Sequence, residues 1–363
     1  MLTISQKYAC GVFLSMPKTA LPVFSINNKM KEAMYYRKLK KEVIECQLCP
    51  NYCKISLDNV GICRARQNIK GKLYSLNYAK PVALHVDPIE KKPLFHFLPG
   101  KPAFSIGTVG CNLGCLHCQN WTMSKAKPTD YTVEEISPEK LVELAIKQKC
   151  EIVSYTYNEP TVFYEYGYEC SKIAREKGLK NVIVSNGYIN PEPLEQWCKY
   201  LDGANIDLKG FSESFYKKIC SAKLEPILES LKILRKNKVW LEMTNLVIPT
   251  LNDDLKEIEE MCKWISNNLG REVPLHFSRF HPDYKLLNIE VTPIKTLEKA
   301  KEIAIKYLDY VYIGNIITEE HENTYCPKCK QLLIQRFGYN ILQNKIEDNK
   351  CSKCGHKIPG VWK

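Results

Sequence analysis

Cysteine is the residue that most limits what this chain can fold into. There are 17 among 363 residues, and eleven fall in three tight clusters. Grouped thiols in a reducing compartment mean metal more often than disulfides. The last cluster is C-P-K-C, then 21 residues, then C-S-K-C: Cys326, Cys329, Cys351 and Cys354. Each pair is a knuckle whose two thiolates face one ion, and two knuckles make a tetrahedral S4 site. That reads as structural zinc, with a rubredoxin-like iron as the alternative, because S4 suits both metals. The first cluster is Cys46, Cys49, Cys53 and Cys63. It accommodates zinc or an auxiliary [4Fe–4S] cluster, and Arg64 and Arg66 beside it offset thiolate charge. The other six, Cys10, Cys150, Cys170, Cys198, Cys220 and Cys262, read as small hydrophobes.

The middle cluster differs in kind: Cys111-Asn-Leu-Gly-Cys115-Leu-His-Cys118. Three thiolates hold three irons of a [4Fe–4S] cluster and leave the fourth open to a ligand, whereas electron-transfer clusters take four cysteines. Gly107, Gly110 and Gly114 let the backbone fold closely round such a group. His117 is read as packing near the cluster, since three thiolates already fill the pattern.

Strand and helix signals alternate downstream. The pattern predicts strands at 103–106, 152–157, 182–185, 204–208, 239–248, 275–280 and 311–316. It predicts helices at 161–177, 191–200, 225–236, 253–269 and 296–307. Repeated β-then-α units imply a parallel sheet with right-handed crossovers. The α/β fold that fits best is a partial (β/α)6, TIM-like barrel, which places its site at the C-terminal ends of the strands. The Cys111 loop follows the first strand. Asn158 and Glu159 follow the second, with the carboxylate available to an ammonium group. Ser185 and Asn186 follow the third. Asp207, suited to a ribose hydroxyl, and Lys209, suited to a carboxylate, end the fourth. Ile248 ends the fifth as an apolar rim, and His281 follows the sixth.

The middle cluster and these strand-end groups resemble radical S-adenosylmethionine (SAM) enzymes, close to the glycyl-radical (pyruvate formate-lyase) activating enzymes. A narrower resemblance runs from Met30 onward. Its segments are K-E-A-M-Y-Y, C-Q-L-C-P-N-Y-C, D-P-I-E-K-K-P-L-F-H-F-L-P-G, G-C-N-L-G-C-L-H-C-Q-N-W, Y-N-E-P-T, H-F-S-R-F-H-P-D-Y, T-Y-C-P-K-C and I-P-G-V-W. It is similar to the AmmeMemoRadiSam-system radical SAM enzymes. The resemblance implies reductive cleavage of SAM to a 5′-deoxyadenosyl radical that abstracts hydrogen from a substrate. It also implies a one-electron donor of ferredoxin or flavodoxin type and association with Memo-like and AMMECR-like proteins. Two departures stand out. Tyr157-Asn158-Glu159 replaces the usual Gly-Gly-Glu, and the fifth strand, Glu242-Met243-Thr244-Asn245, lacks the Arg that contacts SAM in activating enzymes.

The expected organisation is a possible extension at 1–29, a Cys-rich region at 30–100, the barrel at 101–318 and a zinc ribbon at 319–363. The net charge of +12 raises RNA as a substrate beside a protein, although lysines spread along helices are more often solvated faces. A non-catalytic metal-binding module is the remaining reading, and it predicts no SAM turnover. No apolar run reaches the ~18 residues of a spanning helix, and no secretory signal is legible. The expected location is the cytoplasm.

Overall fold

The computed structural model describes residues 30–316 and 320–363. The expected extension at 1–29 lies outside the described residues. So does the boundary expected between 318 and 319.

Eight strands form the central sheet, labelled in chain order: β1 (Ala83–Pro88), β2 (Pro102–Gly107), β3 (Ile152–Tyr155), β4 (Lys180–Ser185), β5 (Gly203–Asp207), β6 (Trp240–Val247), β7 (Leu275–Arg279) and β8 (Val311–Gly314). They lie in sequence order across the sheet. From β2 to β8 every pairing is parallel, and β1 pairs antiparallel with β2 from Ala83↔Gly107 to Pro88↔Pro102. Strands covered on both faces read as apolar runs. All four residues of β3, Ile-Val-Ser-Tyr, are buried.

The connecting helices are α1 (Pro138–Lys147), α2 (Tyr164–Glu176), α3 (Pro191–Cys198), α4 (Glu225–Lys236), α5 (Leu255–Asn268) and α6 (Ile294–Ala304). Ser137 caps α1 by accepting from Lys140 N, and Asp254 caps α5 by accepting from Lys256 N and Glu257 N. Gly178 takes φ +80 just past α2, where a left-handed residue ends a helix.

The sheet departs from the six-unit expectation. It has seven parallel strands, one more than a six-unit barrel; the seventh, Val311–Gly314, lies where the sequence predicts a strand at 311–316 and adds in register beside β7 (Leu275↔Val311 to Ser278↔Gly314). It also gains the antiparallel edge strand β1, whose Ala-Leu-His-Val-Asp-Pro sequence carries no buried alternation to announce it.

The N-terminal Cys-rich region forms two small antiparallel sheets, one from 31–32, 66–69 and 72–75, the other from 36–38, 44–46 and 54–55. They dock into the main core, where Ile44, Leu48, Ile55 and Leu73 join the cluster that holds Phe104 and Ile106. A buried ion pair, Arg66 to Glu165 of α2, fixes that docking, and Glu165 also accepts from Met34 N at 2.7 Å.

The C-terminal region is a meander of Thr324–Tyr325, Leu332–Phe337 and Asn340–Asn344. It closes on the chain before β2: Leu98 N donates to Val361 O at 2.7 Å, and Val361 N to His96 O at 2.8 Å. Glu242, fully buried on β6, accepts from Phe95 N (3.0 Å), His96 N (2.7 Å), Trp240 Nε1 (3.0 Å) and His276 Nε2 (2.7 Å). The L-F-H-F-L-P-G motif is therefore pinned under the sheet by one carboxylate. Among the described residues, no helix is long and apolar enough to cross a membrane.

Candidate active site

The loop from β2 carries Cys111, Cys115 and Cys118 over the C-terminal ends of the parallel strands. It rests on the π-helical turn Tyr216–Cys220. Gly114 N donates to Cys220 O at 2.7 Å and Leu116 N to Ile219 O at 3.0 Å. A β-carbon at Gly114 would meet Ser221 Oγ at 2.6 Å, so a glycine is needed for this approach.

Three predicted residues, Glu159, Ser185 and Asn186, form one network beside Cys111, and a fourth, Asn158, clamps the chain leading into it. Glu159 is buried. Its Oε1 accepts from Thr161 N (3.0 Å), Thr161 Oγ1 (2.7 Å) and Ser185 Oγ (2.7 Å), and its Oε2 from Asn186 N (2.8 Å). Burial pushes this carboxyl above its usual range, while the donors from Asn186, Thr161 and Ser185 pull the other way. Protein donors thus already fill the carboxylate expected to receive an ammonium, and it braces the ends of β3 and β4. Asn186 Nδ2 reaches Cys111 Sγ (3.8 Å) and Asn112 Oδ1 (3.0 Å). Asn158 also turns inward. Its Oδ1 accepts from Thr108 N at 2.9 Å and its Nδ2 donates to Gly110 O at 2.9 Å, clamping the approach to Cys111.

Asp207 and Lys209 stand on the Cys115 side. Their charged groups pair at 2.8 Å. Burial works against the Lys209 ammonium, but the charges of Asp207 and Cys115 hold its pKa well above the usual lysine value. His281 comes to the Cys118 side, with Nε2 at 2.9 Å from the Gln119 side-chain nitrogen, which donates to it when the ring proton is on Nδ1. Ile248 is the exception. Its side chain is 0 % exposed, and its N–H is held by Asn252 Oδ1 at 2.6 Å. The core absorbs this residue, so no open apolar rim is left there.

Sequence reasoning missed two groups. The thiol of Cys220, read as a plain hydrophobe, faces that of Cys115. Lys125, in the turn after Cys118, donates from Nζ to Leu113 O at 2.8 Å. No spacing rule joins Cys220 to the loop; only the π-helical turn does.

The donor set suits an iron–sulfur cluster with an open iron. Thiolates on such a cluster bind different irons and stand apart, while ligands of one ion crowd together. Among the described residues, only the C-terminal tetrad brings three or more ligand atoms within 4.8 Å of one another; Cys111, Cys115 and Cys118 are spread wider. His117 is 4 % exposed, and its two ring nitrogens have no partner. Burial lowers its pKa to about 3. Orphaned buried nitrogens call for a group to face.

The other clusters separate clearly. In the tetrad, Cys326 Sγ lies 3.7 Å from Cys354 Sγ, and Cys329 Sγ 3.7 Å from Cys351 Sγ. A tetrahedral ion with metal–sulfur bonds of ~2.3 Å sets an edge of roughly 3.8 Å, so the four thiols are spaced for one ion. Cys46, Cys49, Cys53 and Cys63 instead line a common cavity.

Residues 105–265 match the Radical SAM superfamily. Over 332 residues the chain is 49% identical to the uncharacterized protein MJ0808 of Methanocaldococcus jannaschii, covering 91% of this chain and 99% of that one. It is 25% identical over 218 residues to the pyruvate formate-lyase-activating enzyme of Clostridium pasteurianum, covering 55% of this chain and 87% of that enzyme. Among solved structures, a domain of pyruvate-formate lyase-activating enzyme from Bacteroides vulgatus aligns with a TM-score of 0.40 at 17% identity, covering 45% of this chain and 98% of that domain. The family brings with it a [4Fe–4S] cluster and SAM. With that loop, the parallel sheet and the sequence matches in agreement, the chain belongs to the radical SAM superfamily and is an activating-enzyme-like member of it.

Proposed function

We propose that this enzyme abstracts hydrogen from a protein partner, and that its narrower kinship is with the AmmeMemoRadiSam-system enzymes. A [4Fe–4S] cluster on Cys111, Cys115 and Cys118 supplies, when bound, one-electron cleavage of the SAM sulfonium. The chain's own residues bind and orient. The Asn186 amide faces the Cys111 sulfur and steadies it. Asp207 offers a carboxylate to a ribose hydroxyl, and Lys209 an ammonium to the SAM carboxylate. Glu159 acts as a positioning residue through Ser185 and Asn186. His281 and Gln119 flank Cys118.

The observation that carries this reading is the convergence of four strand ends on one three-thiol loop, where the Asn186 amide meets Cys111. A protein partner is favoured over RNA because a relative aligned over most of its own length is named for activating another enzyme, pyruvate formate-lyase. Memo-like and AMMECR-like proteins are the partners to try first, with a ferredoxin- or flavodoxin-type electron donor. Zinc is the ion assigned to the C-terminal tetrad.

The test is anaerobic reconstitution, addition of SAM and dithionite, and chromatography of 5′-deoxyadenosine beside a Cys115→Ala control. Product from the wild type alone is expected. An intact cluster with neither product nor a SAM-induced change in its EPR spectrum overturns the reading.

A further inference from the structure

The N-terminal thiols answer a question that their spacing leaves open. Cys46, Cys49, Cys53 and Cys63 line one cavity of about 20 Å³, together with Gly61, Arg66, Asn112, Thr161 and Val162. A site that admits a water-sized sphere among its thiols is not closed on a single ion. The C-terminal tetrad gives the contrast. Its sulfurs, 3.7 Å apart, touch and leave an ion-sized hole. Among the described residues, no three sulfurs of the N-terminal set come within 4.8 Å of one another. A zinc ion would have to draw all four inward to an edge of roughly 3.8 Å.

The backbone resists that contraction. Cys46 N donates to Cys53 O at 3.0 Å and Tyr52 N to Cys49 O at 3.2 Å, so these three thiols are set by paired strands and a turn. Gly61 N donates to Arg66 O at 2.9 Å and Arg64 N to Gly61 O at 2.9 Å, which fixes the turn carrying Cys63.

A second observation points to an anionic occupant. Arg66 is 1 % exposed and lines this cavity. Its terminal nitrogens serve Glu165 and Met34 O, while its Nε is buried without a partner. A buried guanidinium N–H is a natural donor to a cluster sulfur or thiolate.

We propose that Cys46, Cys49, Cys53 and Cys63 bind a second [4Fe–4S] cluster, with Arg66 Nε donating to it. Four protein thiolates leave no open iron, so this cluster does not bind SAM. It lies against the SAM site. Asn51 Nδ2 donates to Asn112 O at 2.8 Å, and Asn112 and Thr161 belong to both sites. The proposal does not depend on the radical SAM assignment.

The test is metal and sulfide analysis with Mössbauer spectroscopy on the anaerobically reconstituted full chain. A Cys111→Ala/Cys115→Ala/Cys118→Ala variant is expected to keep about four irons and four sulfides per chain, with the doublet of an oxidised [4Fe–4S] cluster. Adding Cys46→Ala and Cys63→Ala is expected to remove that iron. A triple variant with no iron, holding a second zinc or no second metal, overturns the proposal. Should the triple variant be insoluble, the wild type decides. About eight irons, with half of the reduced signal unmoved by SAM, is expected; about four irons, all SAM-responsive, overturns it. Failure of the radical SAM reading would instead appear as a wild type with no SAM-responsive signal while the triple variant kept its iron.

Discussion

A β-carbon at Gly110 would stand 2.4 Å from the carbonyl oxygen of Cys63, so the N-terminal cysteine segment and the loop into Cys111 meet backbone to backbone. Gly110 also holds φ +92. Both facts demand glycine, one for space and one for conformation. Gly110→Ala is expected to cost roughly 1–3 kcal/mol in backbone strain alone. The clash with Cys63 adds to it, and iron retention at the Cys111 loop should fall with stability. Thermal unfolding and iron content of the variant check this; a stable variant with full iron refutes it.

Glu159 supplies a second prediction, which separates a brace from a ligand. Its two oxygens take four protein donors. Glu159→Gln turns one acceptor into a donor facing buried N–H and O–H groups. Unsatisfied buried donors cost roughly 1–3 kcal/mol. The variant should lose stability, and SAM affinity should weaken as a consequence. Chemical denaturation read beside SAM titration settles the order. Weakened SAM binding at unchanged stability would mean that the carboxylate meets SAM directly.

The C-terminal tetrad yields a metal prediction. Cys351→Ala removes one of four ligands from a site spaced for one ion. Zinc should fall from about one per chain to near zero. Because Pro359 O and Val361 bind the His96 segment, the loss should loosen the underside of the sheet. Iron at the Cys111 loop, on the opposite ends of the strands, should persist. Elemental analysis of zinc and iron in one sample tests both halves.

The alternation of buried strands with capped helices was legible in the sequence because each carries its own period. The 225–236 helix lies where the spacing puts it. Strand β1 was not legible, since an edge strand buries little and needs no apolar alternation. The convergence of strand ends on the cysteine loop followed from the barrel rule and from counting. The direction of each side chain did not. Asn158, Glu159 and Ile248 all sit at strand ends, yet they turn into the protein because nearby backbone N–H groups and core volume claim them first. Cys220 escaped notice because a π-helical turn, not a motif, brings it to Cys115.

The buried His96 ring gives the last prediction. Nδ1 lies 2.8 Å from Pro359 O and Nε2 2.7 Å from Tyr312 Oη, and the ring is fully buried. Burial, opposed by the charge of Glu242, lowers its pKa from 6.5 to about 4. The folded state therefore keeps the ring neutral where the unfolded chain protonates it. Stability from this histidine is complete above pH 6.5 and is lost as pH falls toward 4, by on the order of 3 kcal/mol for a shift of that size. Glu322 acts in the opposite sense. Burial raises its pKa to about 7, so its folded form takes up a proton first. The two effects offset each other in the wild type, and only a difference reveals the histidine. In His96→Gln the gap in unfolding free energy from the wild type should narrow between pH 6.5 and pH 4. The imidazole nitrogen resonances of His96 in the wild type should stay those of a neutral ring down to about pH 4. A ring that titrates near 6.5 with an unchanged gap would show that solvent reaches it.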